Sequence, residues 1–276
     1  MKNKFFLPLL ILSSITMSVN GQSPLNRLDL YFFAGEKDKA AAYAESILND
    51  AEQTLSQKKA VASYLKIRRI LGDKTLSDRE KRNRLDDGMT AASEAVNASP
   101  VCADAYYARG LNRMFAANLV REFSSLNNIT DAKDDFIRTY NLDKTHCGSL
   151  SELSGIYGYM PELITFGDRN IAVNLAKQLY SIRGSKRDAA QLAALLLRRD
   201  WSAKKRKNNR STAAEAYQIA KSPFEAAAAF EGKESGKNIT SESDSVDDRR
   251  EADTLCRKHS LTAEEITGET AWSRDF

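Results

Sequence analysis

The sequence predicts an all-α fold built from repeated pairs of helices. Only 5 of its 276 residues are proline and 13 are glycine, while Ala, Leu, Lys, Glu and Arg are abundant, and this composition favours helix. No run of residues alternates between apolar and polar in the way that half-buried strands do. In addition, a stripe of small and apolar residues recurs at helical spacing along the chain, which indicates a repeated structural unit.

Each copy of this stripe has small or apolar residues at positions i, i+4 and i+7, which lie on one face of a helix. The copies are Ala40/Ala44/Ile47, Gly88/Ala92/Ala95, Ala132/Phe136/Thr139, Ala172/Ala176/Leu179 and Ala213/Tyr217/Ala220. We expect each to lie on one helix of a pair and the pairs to stack, because one pair cannot bury its apolar stripe alone and stacked pairs can. The alternative is an ordinary helical bundle in which alanines recur by chance.

The partner helices of these pairs are predicted between the stripes, at residues 105–111, 150–157 and 189–197, the last ending near Trp201. Gly110 in the earliest of them would allow a neighbouring helix to approach closely. Two Ser-x-x-Glu sequences predict helix starts, and two Gly-polar sequences predict helix ends. These are Ser77/Glu80 and Ser149/Glu152 for the starts, and Gly72-Asp73 and Gly184-Ser185 for the ends.

The first 21 residues have the order of a secretory signal. Lys2 and Lys4 precede a short apolar run at 5–12, and small and polar residues continue to Gly21. The apolar run is shorter than the roughly 20 residues needed to span a membrane. No cysteine lies near the predicted cleavage site, so a lipid anchor is not expected. We therefore expect cleavage before Gln22, export to the periplasm or beyond the cell, and no transmembrane segment after signal removal.

The mature chain is predicted to have two parts. Residues 22–230 carry the helical repeats, and residues 231–276 form a polar tail. Residues 232–245 are rich in Gly, Ser and charged residues and almost free of apolar ones, which predicts a flexible segment. Short helices are possible at 247–259 and after Thr262, although neither segment shows a strong apolar face.

The helix pair at 105–143 resembles a tetratricopeptide repeat. The resemblance rests on the first-helix sequence Tyr-Tyr-Ala-Arg-Gly-Leu at 106–111 and on the second-helix stripe that begins at Ala132. The later segment with Pro161, Leu163, the Phe-Gly-Asp at 166–168 and Ala172 is similar to exported bacterial tetratricopeptide-like proteins, in the style of the T-component of TRAP transporters. The resemblance covers roughly residues 60–222 on the repeat spacing.

This resemblance implies a right-handed solenoid of stretched helix pairs. The stripes begin 40–48 residues apart, whereas a tetratricopeptide repeat has about 34 residues. The extra residues are expected between the two helices of a pair, at 115–128 and 159–168. The family has no catalytic residues, so the resemblance predicts none in this sequence.

The function predicted is therefore binding, without catalysis. The net charge of +4 is too small for a nucleic-acid-binding footprint, and the chain has no phosphate loop, Gly-x-Ser-x-Gly or His-Glu-x-x-His sequence. We expect an exported scaffold for a protein or peptide, with no catalytic, cofactor-binding or metal-binding residue. The alternative is a transport accessory that shelters a small apolar ligand between residues Phe115, Phe123, Tyr159, Leu163 and Phe166. An enzyme is the third possibility.

Cysteine and histidine residues are candidate metal ligands and nucleophiles. His146-Cys147 and the Cys256/His259 pair together supply the ligand count of a structural zinc site. Adjacent residues on one element rarely converge on a metal, so no zinc is expected, and no partner residue predicts a Cys–His nucleophile. The three cysteines, with Cys102 as the third, are expected to be unpaired because their number is odd and their spacing matches no disulfide framework.

A basic cluster at 198–210 is the clearest charge feature. It contains Arg198, Arg199, the Lys-Lys-Arg-Lys run at 204–207 and Arg210. A solvated connection between helices is the preferred interpretation, and contact with an anionic membrane surface or an acidic partner is the alternative.

The repeat core gives a first test. Ala132 and Ala172 should be buried where the helices of a pair cross, with Tyr106, Phe136 and Tyr157 in the same layers. Ala132→Leu should then lower the free energy of unfolding by about 1–3 kcal/mol through overpacking, as measured by thermal melts. On sequence grounds alone, truncation at Gly236 should leave the melting temperature unchanged, and a larger loss from the truncation would mean that the core lies elsewhere.

Overall fold

The computed structural model of the protein describes residues 23–120, 125–160, 166–208, 242–262 and 265–266. The predicted signal peptide, 1–21, lies outside this part. The described residues form ten helices and no strand, which confirms the all-α prediction. The helices are α1 Pro24–Phe33, α2 Lys37–Asn49, α3 Leu55–Gly72, α4 Asp78–Ala98, α5 Ala103–Val120, α6 Ser125–Leu142, α7 Cys147–Tyr159, α8 Arg169–Arg183, α9 Lys186–Asn208 and α10 Glu242–His259.

The helices pack largely in chain order. The pairs α3/α4, α5/α6, α7/α8 and α9/α10 are in contact, and successive pairs touch through α4/α5, α6/α7 and α8/α9. The first helices of successive pairs also meet, α3 with α5 and α7 with α9. The N-terminal helix α1 departs from this order, because it contacts α7 as well as α2 and α3.

The small-residue stripes lie on the second helices. Four of the five copies are on α2, α4, α6 and α8, and the fifth, at 213–220, lies outside the described residues. Ala132 and Ala172 are 0% exposed, as predicted. Phe136 is buried, and Tyr106 and Tyr157 are half-buried against the same cluster.

Gly110 has the close contact that its position predicts. A Cβ atom there would lie 2.6 Å from the ring of Phe136 on α6, too close for any real side chain. Beside this contact, Arg109 and Arg113 of α5 both donate hydrogen bonds to the buried carboxylate of Asp135 on α6. The α5/α6 pair is therefore joined by a tight apolar contact and by an ion pair.

Most of the predicted helix boundaries are present. Ser77 and Glu80 form a capping box at α4, α3 ends at Gly72, and α8 ends before Gly184, whose φ of 63° is left-handed. The start predicted at Ser149/Glu152 is wrong. The helix α7 already begins at Cys147, because the Nδ1 atom of His146 accepts a hydrogen bond of 3.1 Å from the backbone N–H of Ser149.

The predicted insertions differ from each other in structure. The segment 115–128 is largely helix, since α5 continues to Val120 and α6 begins at Ser125. Phe115 and the two alanines after it are buried, so the apolar face simply extends. The second insertion does separate α7 from α8, and Asp168 caps α8. The helix predicted to end near Trp201 is longer than expected, because α9 continues to Asn208.

The predicted tail contains a packed helix. Ala252 and Leu255 of α10 are buried in a cluster formed with α9, and Arg199 of α9 donates a hydrogen bond of 2.7 Å from Nε to Asp248. The apolar face of α10 has only two buried residues, and its ion pair joins residues that are far apart in sequence. The local sequence pattern was therefore too weak to predict that this helix is packed. Residues 231–241 and 267–276 lie outside the described part.

This packing reverses the expectation for truncation at Gly236, which would remove α10 and expose the apolar face of α9. A finer test is Leu255→Ala, which should lower the free energy of unfolding by about 2 kcal/mol or more through lost burial. The exposed neighbour provides the control, since Asp253→Ala should stay within about 0.5 kcal/mol of wild type. Urea denaturation of both variants would measure this, and equal effects would show that α10 is not held by its apolar face.

Candidate functional site

The carboxylate of Asp29 on α1 is 1% exposed and is bound by side chains of two other helices. Three donors converge on it. The hydroxyl of Tyr64 and the guanidinium of Arg68, both on α3, donate to Oδ1, with an Arg68 Nη2 distance of 2.8 Å. The hydroxyl of Tyr107 on α5 donates to Oδ2 at 2.8 Å. These four residues, called here the Asp29 site, hold a charge in the core because both oxygens of the carboxylate accept hydrogen bonds.

Two further contacts place the start of α1. The backbone N–H of Leu25 donates to Asp104 Oδ2 of α5 at 3.4 Å, and the side-chain Oδ1 of Asn26 accepts from the backbone N–H of Gly148 on α7 at 3.2 Å. A Cβ atom at Gly148 would collide with the ring of Tyr107, so only glycine leaves room for this ring. We call the surface formed by Tyr64, Arg68, Asp104, Tyr107 and Gly148 the α1-binding face.

His146 supports this face from behind. Its Nδ1 caps α7, so the proton lies on Nε2, which is 3.2 Å from Oδ1 of Asp104. Its ring also lies 4.6 Å from that of Tyr107, centroid to centroid. The histidine therefore contacts two residues of the face, Asp104 through Nε2 and Tyr107 through its ring, while Nδ1 caps α7.

Burial governs the ionisation of the face. Desolvation raises the pKa values of Tyr64 and Tyr107 well above 10.0, and the nearby charge of Asp29 adds to the shift. Burial acts to lower the pKa of Arg68, but Tyr64 and Asp29 more than offset it, and the net shift is upward. Both phenols therefore stay protonated and the guanidinium stays charged at neutral pH, which suits these groups to hold a carboxylate.

The outer end of α1 is held by stacking. The guanidinium carbon of Arg187 on α9 lies 3.7 Å from the ring centroid of Phe33, and that of Arg68 lies 5.2 Å from it. Phe33 is nevertheless 41% exposed. Since Arg187 is on α9, groups from α3, α5, α7 and α9 all contact α1.

Two residues of the basic cluster, Arg198 and Arg199, contact other parts of the protein. Residues 198–208 belong to α9 and do not form the predicted connecting loop. Arg198 donates a hydrogen bond of 2.9 Å to the carbonyl of Gly158 and lies over the ring of Tyr159, while Arg199 pairs with α10. Arg210 lies outside the described residues.

The aromatic residues proposed to shelter a ligand contribute to packing where they are described. Phe115 and Tyr159 are buried, and Phe166 is half-buried with Lys133 Nζ 4.2 Å from its ring centroid. Phe123 and Leu163 lie outside the described residues.

Cys102, Cys147 and Cys256 are free thiols. Burial raises the pKa of Cys147 to about 11, so this thiol is protonated at neutral pH and is a poor nucleophile. His259 lies 2.7 Å from the hydroxyl of Tyr180. Within the described ranges, no group of three or more His, Cys, Asp or Glu residues is arranged to hold a metal ion, and no helix has the length and apolar character to cross a membrane.

Sequence reasoning missed the Asp29 site. The signal that could have indicated it is the position of Asp29 beside Leu25 and Leu28 on one face of a short helix. A lone acid on an otherwise apolar face predicts a buried partner. Its partners, however, are 35–78 residues away, beyond the reach of any local pattern.

Comparison of the chain with protein-family models, curated proteins and solved structures finds no match. The class is therefore defined by fold and site: a protein, all-helical in its described residues, that holds helix α1 against later helices through a buried carboxylate.

The raised tyrosine pKa values predict a stability change in alkali. The unfolded chain releases these protons near pH 10.0 and the folded chain does not, so the stabilisation is complete below that pH and is lost as pH rises above it. The loss should approach about 1.4 kcal/mol per pH unit for each tyrosine. Tyr107→Phe should make this decline shallower, as measured by urea denaturation across the alkaline range.

The same variant should lower the free energy of unfolding at neutral pH by about 1–3 kcal/mol, because Asp29 loses one donor. The control is Tyr106→Phe, a half-buried tyrosine outside the Asp29 site, which should keep the wild-type pH slope. If Tyr107→Phe and wild type declined equally in alkali, the ionisation of Tyr107 would not be linked to folding.

Proposed function

We propose that this protein is a non-enzymatic scaffold, exported to the periplasm or secreted, that binds a segment of a protein or peptide partner. Its architecture is a right-handed solenoid of stretched tetratricopeptide-like pairs. The sequence order at 1–21 supports export, and the contacts between successive first helices support a shared binding surface.

One observation carries the proposal. The α1-binding face already holds a helical segment, with side-chain donors from α3 and α5 and a backbone donor from α7. Recognition of a helix by a surface that spans several helices is a common mode of peptide binding. This observation favours a protein or peptide over a small apolar ligand, because Phe115 and Tyr159 are already buried in the core.

Site-specific photocrosslinking in the producing organism tests the function. A benzoyl-phenylalanine at Phe33, which is exposed at the edge of the α1-binding face, should yield one reproducible protein adduct. The same group at Asn174, exposed on the second helix α8, should not yield it. Identification by mass spectrometry would name the partner, and identical adducts from both positions, or none from Phe33, would contradict the proposal.

A further inference from the structure

The chemistry of α1 is that of a ligand recognised by a prepared surface. Its buried face presents Leu25, Asn26, Leu28 and Asp29. Both polar members of this set are bound by side-chain or backbone groups of other helices, and Asp29 alone takes three donors. A helix held only as the first member of a stack would need an apolar stripe, and it would not need buried polar side chains bound by other helices.

Each donor has contacts outside α1, in addition to the contacts of Tyr64 and Arg68 with the ring of Phe32 on α1. Tyr64 and Arg68 are one helical turn apart on α3, and Arg68 Nε donates to the Tyr64 hydroxyl at 2.8 Å. Tyr107 is fixed by the ring of His146 and by Gly148. A carboxylate from another helix would therefore meet the same three donors.

The connection of α1 to the remaining pairs is short and can turn. Only residues 34–36 separate α1 from α2, and Gly35 among them has a φ of 72°, a conformation that glycine adopts without strain. Because α1 is tethered, its effective concentration at the face is in the millimolar range, so an incoming helix competes with it.

Building on the proposed function, we propose that α1 is a displaceable occupant of the α1-binding face. The partner segment is then a helix with leucines at the positions of Leu25 and Leu28 and an acidic residue at the position of Asp29. Such a helix gains the contacts that α1 gives up, and the donors Tyr64, Arg68 and Tyr107 select for its carboxylate.

The test uses the full chain and a fluorescein-labelled peptide of residues 23–36. In the Asp29→Asn chain the tethered helix is weakened and the face is intact. This chain should bind the peptide at least about tenfold more tightly than wild type does, as expected when a charged hydrogen-bond acceptor is lost from the competitor. The Asp29→Asn peptide should bind the same chain at least about tenfold more weakly than the wild-type peptide. Fluorescence anisotropy would measure both.

A second variant guards against failure of Asp29→Asn to fold. Phe33→Ala removes the stacking of α1 on Arg68 and Arg187 at a partly exposed position, and it should tighten peptide binding in the same direction. Circular dichroism and a cooperative melt establish that each variant is folded. The control is Asn174→Ala on α8, which should bind the peptide as wild type does.

No binding by either folded variant, or equal binding of the two peptides, would overturn the inference. Exchange of α1 between copies, seen as dimers in native mass spectrometry, would also overturn it in favour of a second copy as the occupant. The proposed function is separable from it. If a partner crosslinks at Phe33 and excess 23–36 peptide added before irradiation does not reduce the adduct yield, the function stands and this inference is rejected. If the peptide binds but no partner adduct forms, the inference stands and the function is rejected.

Discussion

The burial of one carboxylate constrains much of this protein. A charged group removed from water is costly unless it is paired and hydrogen-bonded, and Asp29 is removed almost entirely. Its three donors come from α3 and α5, so the positions of α1 and of these two helices must agree to within a hydrogen-bond length. Asp104 then fixes the start of α1, and His146 connects that residue to the start of α7.

Stability alone does not explain why such a network is present. Removing one partner of a buried ion pair typically costs about 3–5 kcal/mol, yet replacing the whole pair by apolar residues is often neutral or stabilising. A helical protein could therefore pack α1 through leucine and alanine, as this one packs α4 through Leu85, Ala92 and Ala95. A polar site that accepts one carboxylate in one position provides specificity, and specificity matters most on a surface that selects a segment.

The two ends of the described chain meet different requirements. Without a following helix, α9 would leave an apolar face exposed, and the terminal helix of a stack needs a covering element for this reason. Helix α10 supplies it through Ala252, Leu255 and the ion pair of Arg199 with Asp248. At the other end, α1 turns onto the first helices instead of extending the stack. The C-terminal helix therefore covers an end, and the N-terminal helix covers a face.

The sequence by itself determined the helical class, the second-helix stripes that bury Ala132 and Ala172, the close approach at Gly110 and the cap at Ser77. Each of these follows from periodicity or from a local hydrogen bond within a few residues. Only the tertiary structure decided the burial of Asp29, the cap at His146 and the docking of α10. These depend on contacts such as Tyr107 to Asp29 and Gly148 to Asn26, which join residues 78 and 122 positions apart. A local pattern shows which face of a helix is apolar, but the path of the chain decides which distant donor meets a buried acid.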